Sequence, residues 1–214
     1  KDPHMHAALT PDYPIGAKRI LFSDTYYEAL ARDNVELVTT PIDSLHSEGI
    51  ITKNKTLRSH DVVVYATGFY TNPFLKMIEV TGQDGTDIHD HWKDGAKAYL
   101  GVSVAKFPNL FLIYGPNTNT GHTSVVYKIE AQVGHIIDLI ERAGKGTVAV
   151  NPEAEIAFDK EMQTRLKDLA WAKVEESWYK VGERIPNNWP GSAREYKKRL
   201  ATPNWDHFTQ TKQD

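Results

Sequence analysis

A chain of 214 residues with 40% hydrophobic content is long enough to bury a substantial core, as one domain or as parts of two. Its formal charge of −3, with both signs spread along the sequence, provides no basic face for nucleic acid. The absence of cysteine excludes disulfides and a thiol nucleophile and fits a cytoplasmic home, and no apolar run approaches the roughly 20 residues that cross a bilayer.

The opening Lys1-Asp-Pro-His-Met-His has neither an initiator Met nor a signal-peptide core, and reads as a cut inside a longer protein. Leu9 to Pro14 is proline-punctuated and extended. In Ile15-Gly-Ala-Lys-Arg-Ile-Leu-Phe22, Gly16 permits a bend, Lys18 and Arg19 follow, and Ile20 to Phe22 reads as a short buried strand. Ser23 or Asp24 is placed to cap a helix from Thr25 to about Arg32. Val35 to Thr39 alternates like a strand, and Asp43 to Lys53 reads as a hairpin turning at Glu48-Gly49. Asn54-Lys-Thr56 matches a glycosylation sequon, but nothing indicates secretion. Asp61 to Ala66 is a β-branched run bounded by Thr67-Gly68, which predicts a central parallel strand buried on both faces. The stretch 72–98 is rich in turns. Its His89 and His91 lack a third ligand at a spacing that would hold a metal.

The centre of the sequence is Phe107 to Ala131. Leu110 to Tyr114 is too short for a helix and reads as a buried strand. It breaks at Gly115-Pro116 and passes through a polar turn, Asn117 to Gly121. A helix begins at Thr123 or Ser124, with Val126, Ile129, Val133, Ile136, Ile137 and Ile140 as its apolar stripe and Gly144 as its stop. Strand, turn and helix N-terminus together present free N–H groups to an anion or a polarised carbonyl, or form an ordinary connection. Gly144-Lys-Gly-Thr147 lacks the first glycine of a phosphate loop. Thr147 to Val150 reads as a strand. Asn151 and Pro152 start a helix from Glu153 to about Lys173 that buries Ile156, Met162, Leu166 and Leu169. The tail runs through Ser177-Trp-Tyr and Asn188-Trp-Pro-Gly191 into a basic helix, Ser192 to Leu200.

Taken together, Asp61-Val-Val-Val-Tyr-Ala-Thr-Gly68-Phe, Phe107-Pro-Asn-Leu-Phe, Gly115-Pro-Asn-Thr-Asn and the two tryptophan motifs resemble a known family. It is that of flavin-dependent Baeyer–Villiger monooxygenases of the 4-hydroxyacetophenone type, relatives of the flavin-containing monooxygenases. The likeness runs from Leu9 to about Phe208 and concerns the C-terminal part of such enzymes. It implies an α/β chain: an incomplete three-layer Rossmann-like FAD/NAD(P)-binding fold, with a parallel sheet and helices, a small β-hairpin region and a helical tail. Residues 1–65 would end the NADP-binding domain and its linker strands, 66–150 belong to the FAD-binding domain, and 151–214 form a helical extension. The implied reaction uses FAD, NADPH and O₂ to insert one oxygen atom into a small-molecule ketone. N- or S-oxygenation, or a non-catalytic nucleotide- or partner-binding domain, are the alternatives.

The resemblance maps Arg19 onto the arginine that faces the flavin and stabilises its negatively charged peroxide, and Lys18 onto a residue near the NADPH phosphates. Read from composition alone, the two are solvated charges at a strand entry. Ala66, Thr67 and Gly68 would lie where the cofactor domains meet. Pro116, Asn117, His122, Thr123 and Ser124 would surround the flavin ring, with His122 either a flavin neighbour or a turn stabiliser. Trp178 would fold over NADP and the substrate, or serve as a packing anchor. Ala17 stands where the family often has Cys. The family's GxGxxG fingerprints and its FxGxxxHxxx(W/P) signature do not occur in this chain. The 214 residues by themselves are therefore expected to bind FAD weakly and to seek the N-terminal half of such an enzyme, or another copy, as partner.

Overall fold

The computed structural model describes residues 3–68, 72, 74–121, 123–175 and 177–212. They fall into two compact units, Lys1–Asp12 with Leu21–Phe69, and Tyr13–Ile20 with Tyr70–Asp214.

The first unit holds helices α1 (Pro3–Leu9) and α2 (Tyr26–Leu30) and an antiparallel sheet of β1 (Ile42–His46), β2 (Gly49–Thr52) and β3 (Leu57–Ser59). The expected hairpin is present, closing with His46 opposite Gly49, and β3 adds to its far edge. Ser23 Oγ accepts the N–H groups of Thr25 and Tyr26, so the helix starts where a cap was read but is shorter than expected. The strands expected at 20–22, 35–39 and 61–66 are not formed. These stretches carry no ladder, and Phe22, Val62 and Val64 are exposed to 97%, 77% and 82%. A parallel strand needs a neighbour delivered by a long crossover. No described segment forms a backbone ladder with these stretches, and both sheets among the described residues are antiparallel.

The second unit contains α3 (Ile88–His91), α4 (Val125–Ala143), β4 (Thr147–Val150), α5 (Pro152–Leu166), α6 (Ala193–Leu200) and β5 (Phe208–Thr211). Asp87 caps α3 by accepting from His89 and Asp90, while His91 pairs with Glu155 at 3.1 Å. β4 and β5 pair antiparallel from Thr147↔Thr211 to Val150↔Phe208. The expected strand Leu110–Tyr114 shrinks to a single bridge, Phe111 to Ser103. Asn109 at φ 57° and Tyr114 at φ 59° interrupt the extended run at both ends. α5 stops at Leu166, short of Lys173, and Ala170–Lys173 form a separate 3₁₀ turn. It buries Phe158, Met162 and Leu166, whereas Ile156, expected inside, is 57% exposed. Asn151 makes no side-chain cap; its amide nitrogen donates to the Asp206 carbonyl instead.

α4 reverses the expected burial. Ser124 caps it rather than opening it, and Gly144 ends it as read, but Val126, Val133, Ile137 and Ile140 point outward. Its buried face carries Lys128, Gln132, His135 and Leu139. That face packs on α6 and the neighbouring turn, where most of its polar atoms find partners, His135 Nε2 excepted. Gln132 Nε2 donates to the Tyr196 hydroxyl (2.8 Å), which donates to the Leu100 carbonyl (2.7 Å), and His135 Nδ1 lies 3.1 Å from the Leu200 carbonyl. Burial pushes the His135 pKa down, favouring the neutral ring. Trp189 and Tyr196, both fully buried, meet edge to face at 5.0 Å in the middle of this core. Arg165 and Arg199 flank Trp189 at 5.5 and 5.4 Å and are held there by Glu195 and Glu161. Among the described residues no helix is long and apolar enough to cross a membrane.

Candidate functional site

The turn that links Tyr114 to α4 is built on two backbones in close approach. A Cβ on Gly115 would sit 2.4 Å from the Gly101 carbonyl oxygen, and one on Gly101 would sit 2.1 Å from Thr118. Neither position accepts a side chain. The turn enters through Tyr114 and continues through Asn117 (φ 56°), both in the left-handed region that costs non-glycine residues energy. Tyr114 is held there at both ends: its N–H donates to Gln132 Oε1 (3.0 Å) and its hydroxyl to Asn119 Oδ1.

The tail fixes the other side of the turn. Asn117 N–H donates to the Pro186 carbonyl (2.7 Å), Asn119 N–H to that of Asn187 (3.0 Å), and Trp189 N–H to that of Asn119 (2.8 Å). These bonds make a short parallel pairing centred on Asn119 and Asn188. Asn117 Nδ2 adds two more, to the carbonyls of Ile185 and Asn188. From below, Lys128 Nζ donates to the Thr118 carbonyl at 2.9 Å while lying 5.2 Å from the Tyr196 ring. Lys128 is 1% exposed and has no carboxylate partner among the described residues, and burial pushes its pKa down to about 8.

Turn and tail enclose a cavity of about 370 Å³ lined by Arg19, Phe74, Tyr114, Gly115, Asn119, Trp178 and Asn187. Three aromatic rings and a cation are thereby gathered in a space of the size that holds small molecules. Arg19 is exposed and has no acidic partner among the described residues. Burial raises the pKa of Tyr114 and of Tyr179, and the Arg19 charge pulls both back, so its field reaches these phenols. Trp178 stacks on Tyr179 with ring centres 4.0 Å apart. Asn72 Nδ2 ties down its segment through the carbonyls of Trp178 and Lys180. A larger cavity of about 500 Å³ lies beside α5 and α6. Its Tyr99 hydroxyl is bonded to His207 and its Arg199 to Glu161, whereas the smaller cavity holds a cation, Arg19, with no acidic partner among the described residues.

Of the residues singled out from sequence, Arg19 and Trp178 line this cavity. Pro116 and Asn117 are buried in the wall behind it, with the Asn117 amide engaged by the tail. Thr123 Oγ1 bonds to Thr120 Oγ1, and Ser124 caps α4. Lys18 lies over the Tyr13 ring at 4.4 Å and does not line the cavity. Ala66, Thr67 and Gly68 belong to the first unit, are exposed, and are not among the lining residues. His122 lies outside the described residues. Tyr114 and Asn187 were not singled out from sequence as site residues, and Asn119 entered only as part of the polar turn. The signal available for Asn187 was a polar doublet, Asn187-Asn188, set inside an otherwise apolar Ile-Pro…Trp-Pro frame.

No family model matches the chain. It is 37% identical over 215 residues to an FAD-binding monooxygenase of Aspergillus niger, covering 96% of this chain and 35% of that protein. It is also 37% identical over 221 residues to a Baeyer–Villiger monooxygenase of Pseudomonas aeruginosa, covering 99% of this chain and 42% of the other. Its fold matches a solved steroid monooxygenase bound to NADP with a TM-score of 0.86 and 29% identity, over 99% of this chain and 42% of that one. The chain is a homologue of flavin-dependent monooxygenases, with the same mixed α/β arrangement. More narrowly, it corresponds to the C-terminal part of the Baeyer–Villiger type and spans about two fifths of the length of its relatives.

Proposed function

We propose that this chain forms one wall of the reaction site of an FAD- and NADPH-dependent monooxygenase. That enzyme inserts one oxygen atom from O₂ into a ketone to give an ester or lactone. The observation that carries the reading is Arg19, a cation without a carboxylate partner, set in an aromatic-walled cavity beside the Gly115–Asn119 turn and Trp178. The residues suit the cofactors: Arg19 can only donate, as an anionic or polarised oxygen requires, and Phe74, Tyr114 and Trp178 offer aromatic faces to a flat ring. Pro116, Asn117, His122, Thr123 and Ser124 would hold the flavin side. Lys18 would hold the phosphates of NADP, and Trp178 its ribose. Ala66, Thr67 and Gly68 would serve as cofactor-binding residues of the intact enzyme.

Bound FAD supplies the two-electron chemistry that splits O₂, with NADPH as the hydride source. The chain's own contribution is electrostatic. Arg19 stays charged at any working pH and offers a planar fork of donors to oxygen atoms that gain negative charge as the ketone is attacked. Phe74 and Trp178 line the cavity beside it. In this reading the extended runs at 20–22, 35–39 and 61–66 take parallel partners from sequence outside the 214 residues and complete Rossmann-like layers. Residues 1–65 then end the NADP-binding domain, 66–150 belong to the FAD-binding domain, and 151–214 are the helical extension. The segment Tyr13–Ile20, which carries Arg19, packs with the second unit.

The test is isotopic. The polypeptide encoded with its flanking sequence is supplied with NADPH, ¹⁸O₂ and a panel of ketones. One ¹⁸O in the ester, one in water and one NADPH per turnover are expected. NADPH oxidation that yields only hydrogen peroxide with every ketone would contradict the proposal.

A further inference from the structure

We propose that the cavity beside α5 and α6 is a second binding site. It takes an uncharged carbonyl compound with an apolar body and holds the carbonyl oxygen on the Tyr99 hydroxyl. This cavity of about 500 Å³ shares no lining residue with the Arg19 cavity, and its size suits a small organic molecule. The proposal does not depend on reading the Arg19 cavity as a reaction site. The inner wall is apolar: Leu100, Ala154 and Phe158 are buried, and the Phe158 ring meets that of Tyr99 edge to face at 5.7 Å.

The direction of the hydrogen bonds at His207 identifies the polar group of the ligand. Asn204 Oδ1 accepts the Asp206 N–H, which turns the Asn204 amide nitrogen toward His207 Nε2, 3.2 Å away. That ring nitrogen therefore accepts, and the ring proton sits on Nδ1. Nδ1–H donates to the Tyr99 oxygen at 2.7 Å, so the Tyr99 O–H keeps its own proton for another acceptor, and none is present among the described residues. Burial raises the Tyr99 pKa, which keeps that proton on the phenol. The neighbouring polar groups are spent. Arg199 donates to Glu161, and the Asn151 amide is bonded to the Asp206 carbonyl and the Thr209 hydroxyl. Glu153 and Asp206 form no ion pair among the described residues, and their charges turn anions away. Both are exposed to water, where pairing with an incoming ammonium contributes little, so the phenol in the wall sets the preference. A carbonyl oxygen accepts and never donates, which fits a wall with one unspent donor.

The experiment compares acetophenone with α-methylstyrene, the same shape with CH₂ in place of the oxygen, on the purified 214-residue chain. Calorimetry gives the affinity, and magnetisation transfer from the Tyr99 and Phe158 rings locates the ligand. Acetophenone is expected to bind about tenfold tighter, the effect of one hydrogen bond. Phenyl acetate tells whether the site favours ketone or ester, and preference for either over the hydrocarbon supports it. Tyr99→Phe should bring acetophenone and α-methylstyrene to equal affinity. Ala157→Trp, at an exposed position of the lining, should block both, and keeps the test open should the phenylalanine variant fold poorly. Arg19→Ala should change neither affinity. Equal affinities in the parent chain, no binding of any probe, or a preference that survives Tyr99→Phe would overturn the proposal. So would a preference lost in Arg19→Ala, or 1-phenylethylammonium binding tighter than acetophenone.

Discussion

Two stretches of this chain look alike in sequence and end differently. Leu110–Tyr114 and Asp61–Ala66 are both short apolar runs that close on a glycine turn. The first is bent at Asn109 and Tyr114, joined to Val102 and Ser103, and buries Leu112. The second stays extended with Val62, Val64 and Tyr65 in solvent. Apolar character marks both for burial, but only the first finds partners among the described residues. The two faces of α4 repeat the lesson. The polar face is inside because Tyr196, Leu200 and Thr118 offer it hydrogen bonds, and the apolar face is left out. Hydrophobicity states that a surface should be covered, and the partner determines whether it is.

The comparison breaks most visibly at the core of the tail. Trp189→Ala should cost about 3–5 kcal/mol, read as a fall in the urea midpoint at constant slope. A loss under 1 kcal/mol would show that the tail is not anchored there. Tyr196→Phe removes one hydroxyl but leaves Gln132 Nε2 and the Leu100 carbonyl unpaired in the interior, at about 1–3 kcal/mol. The same urea titration measures it, and an unchanged midpoint would place the inner face of α4 in water.

Lys128 gives a pH signature. Its pKa falls from 10.5 to about 8 on folding, so between those values the unfolded chain binds more protons than the folded one. Stability contributed by this group therefore rises as pH increases from about 8 toward 10.5 and falls again as pH returns through 8. Lys128→Met should flatten that slope. Equal slopes in both proteins would mean that the ammonium is solvated.

The smallest effect belongs to the exposed run. Val64→Ala in the 214-residue chain should stay within about 0.5 kcal/mol of the parent. In the longer polypeptide, where the proposal pairs this strand, the same change should cost about 1.6 kcal/mol, two methyl groups at ~0.8 each. Equal and negligible effects in both would leave Val64 in solvent throughout.

Local signals in the sequence were reliable where chemistry is local. The hairpin at Glu48-Gly49 and the stop at Gly144 stand where turn and capping rules put them, whereas the side-chain cap read at Asn151 is not made. Orientation was not legible, because the periodicity of α4 and α5 identifies an apolar stripe without saying what lies opposite it. The cavity was half legible. Motif resemblance singled out Arg19 and Trp178, which the fold brings together from positions 159 residues apart. Tyr114, Asn119 and Asn187 join them through backbone pairing between the turn and the tail, a contact that no residue pattern announces.

The central claim is that Arg19 acts on oxygen transfer and not on cofactor reduction. In the flavin-loaded polypeptide, stopped-flow absorbance follows NADPH-driven flavin reduction while product analysis follows ketone conversion. Arg19→Ala should leave much of the reduction rate intact and lower ketone oxygenation by about a hundredfold or more, the effect of losing one preorganised charge at a developing oxyanion. Arg19→Lys should rescue poorly, since a point charge lacks the planar fork. Ketone conversion at near the parental rate in the alanine variant would show that Arg19 is a surface charge, and would contradict the account.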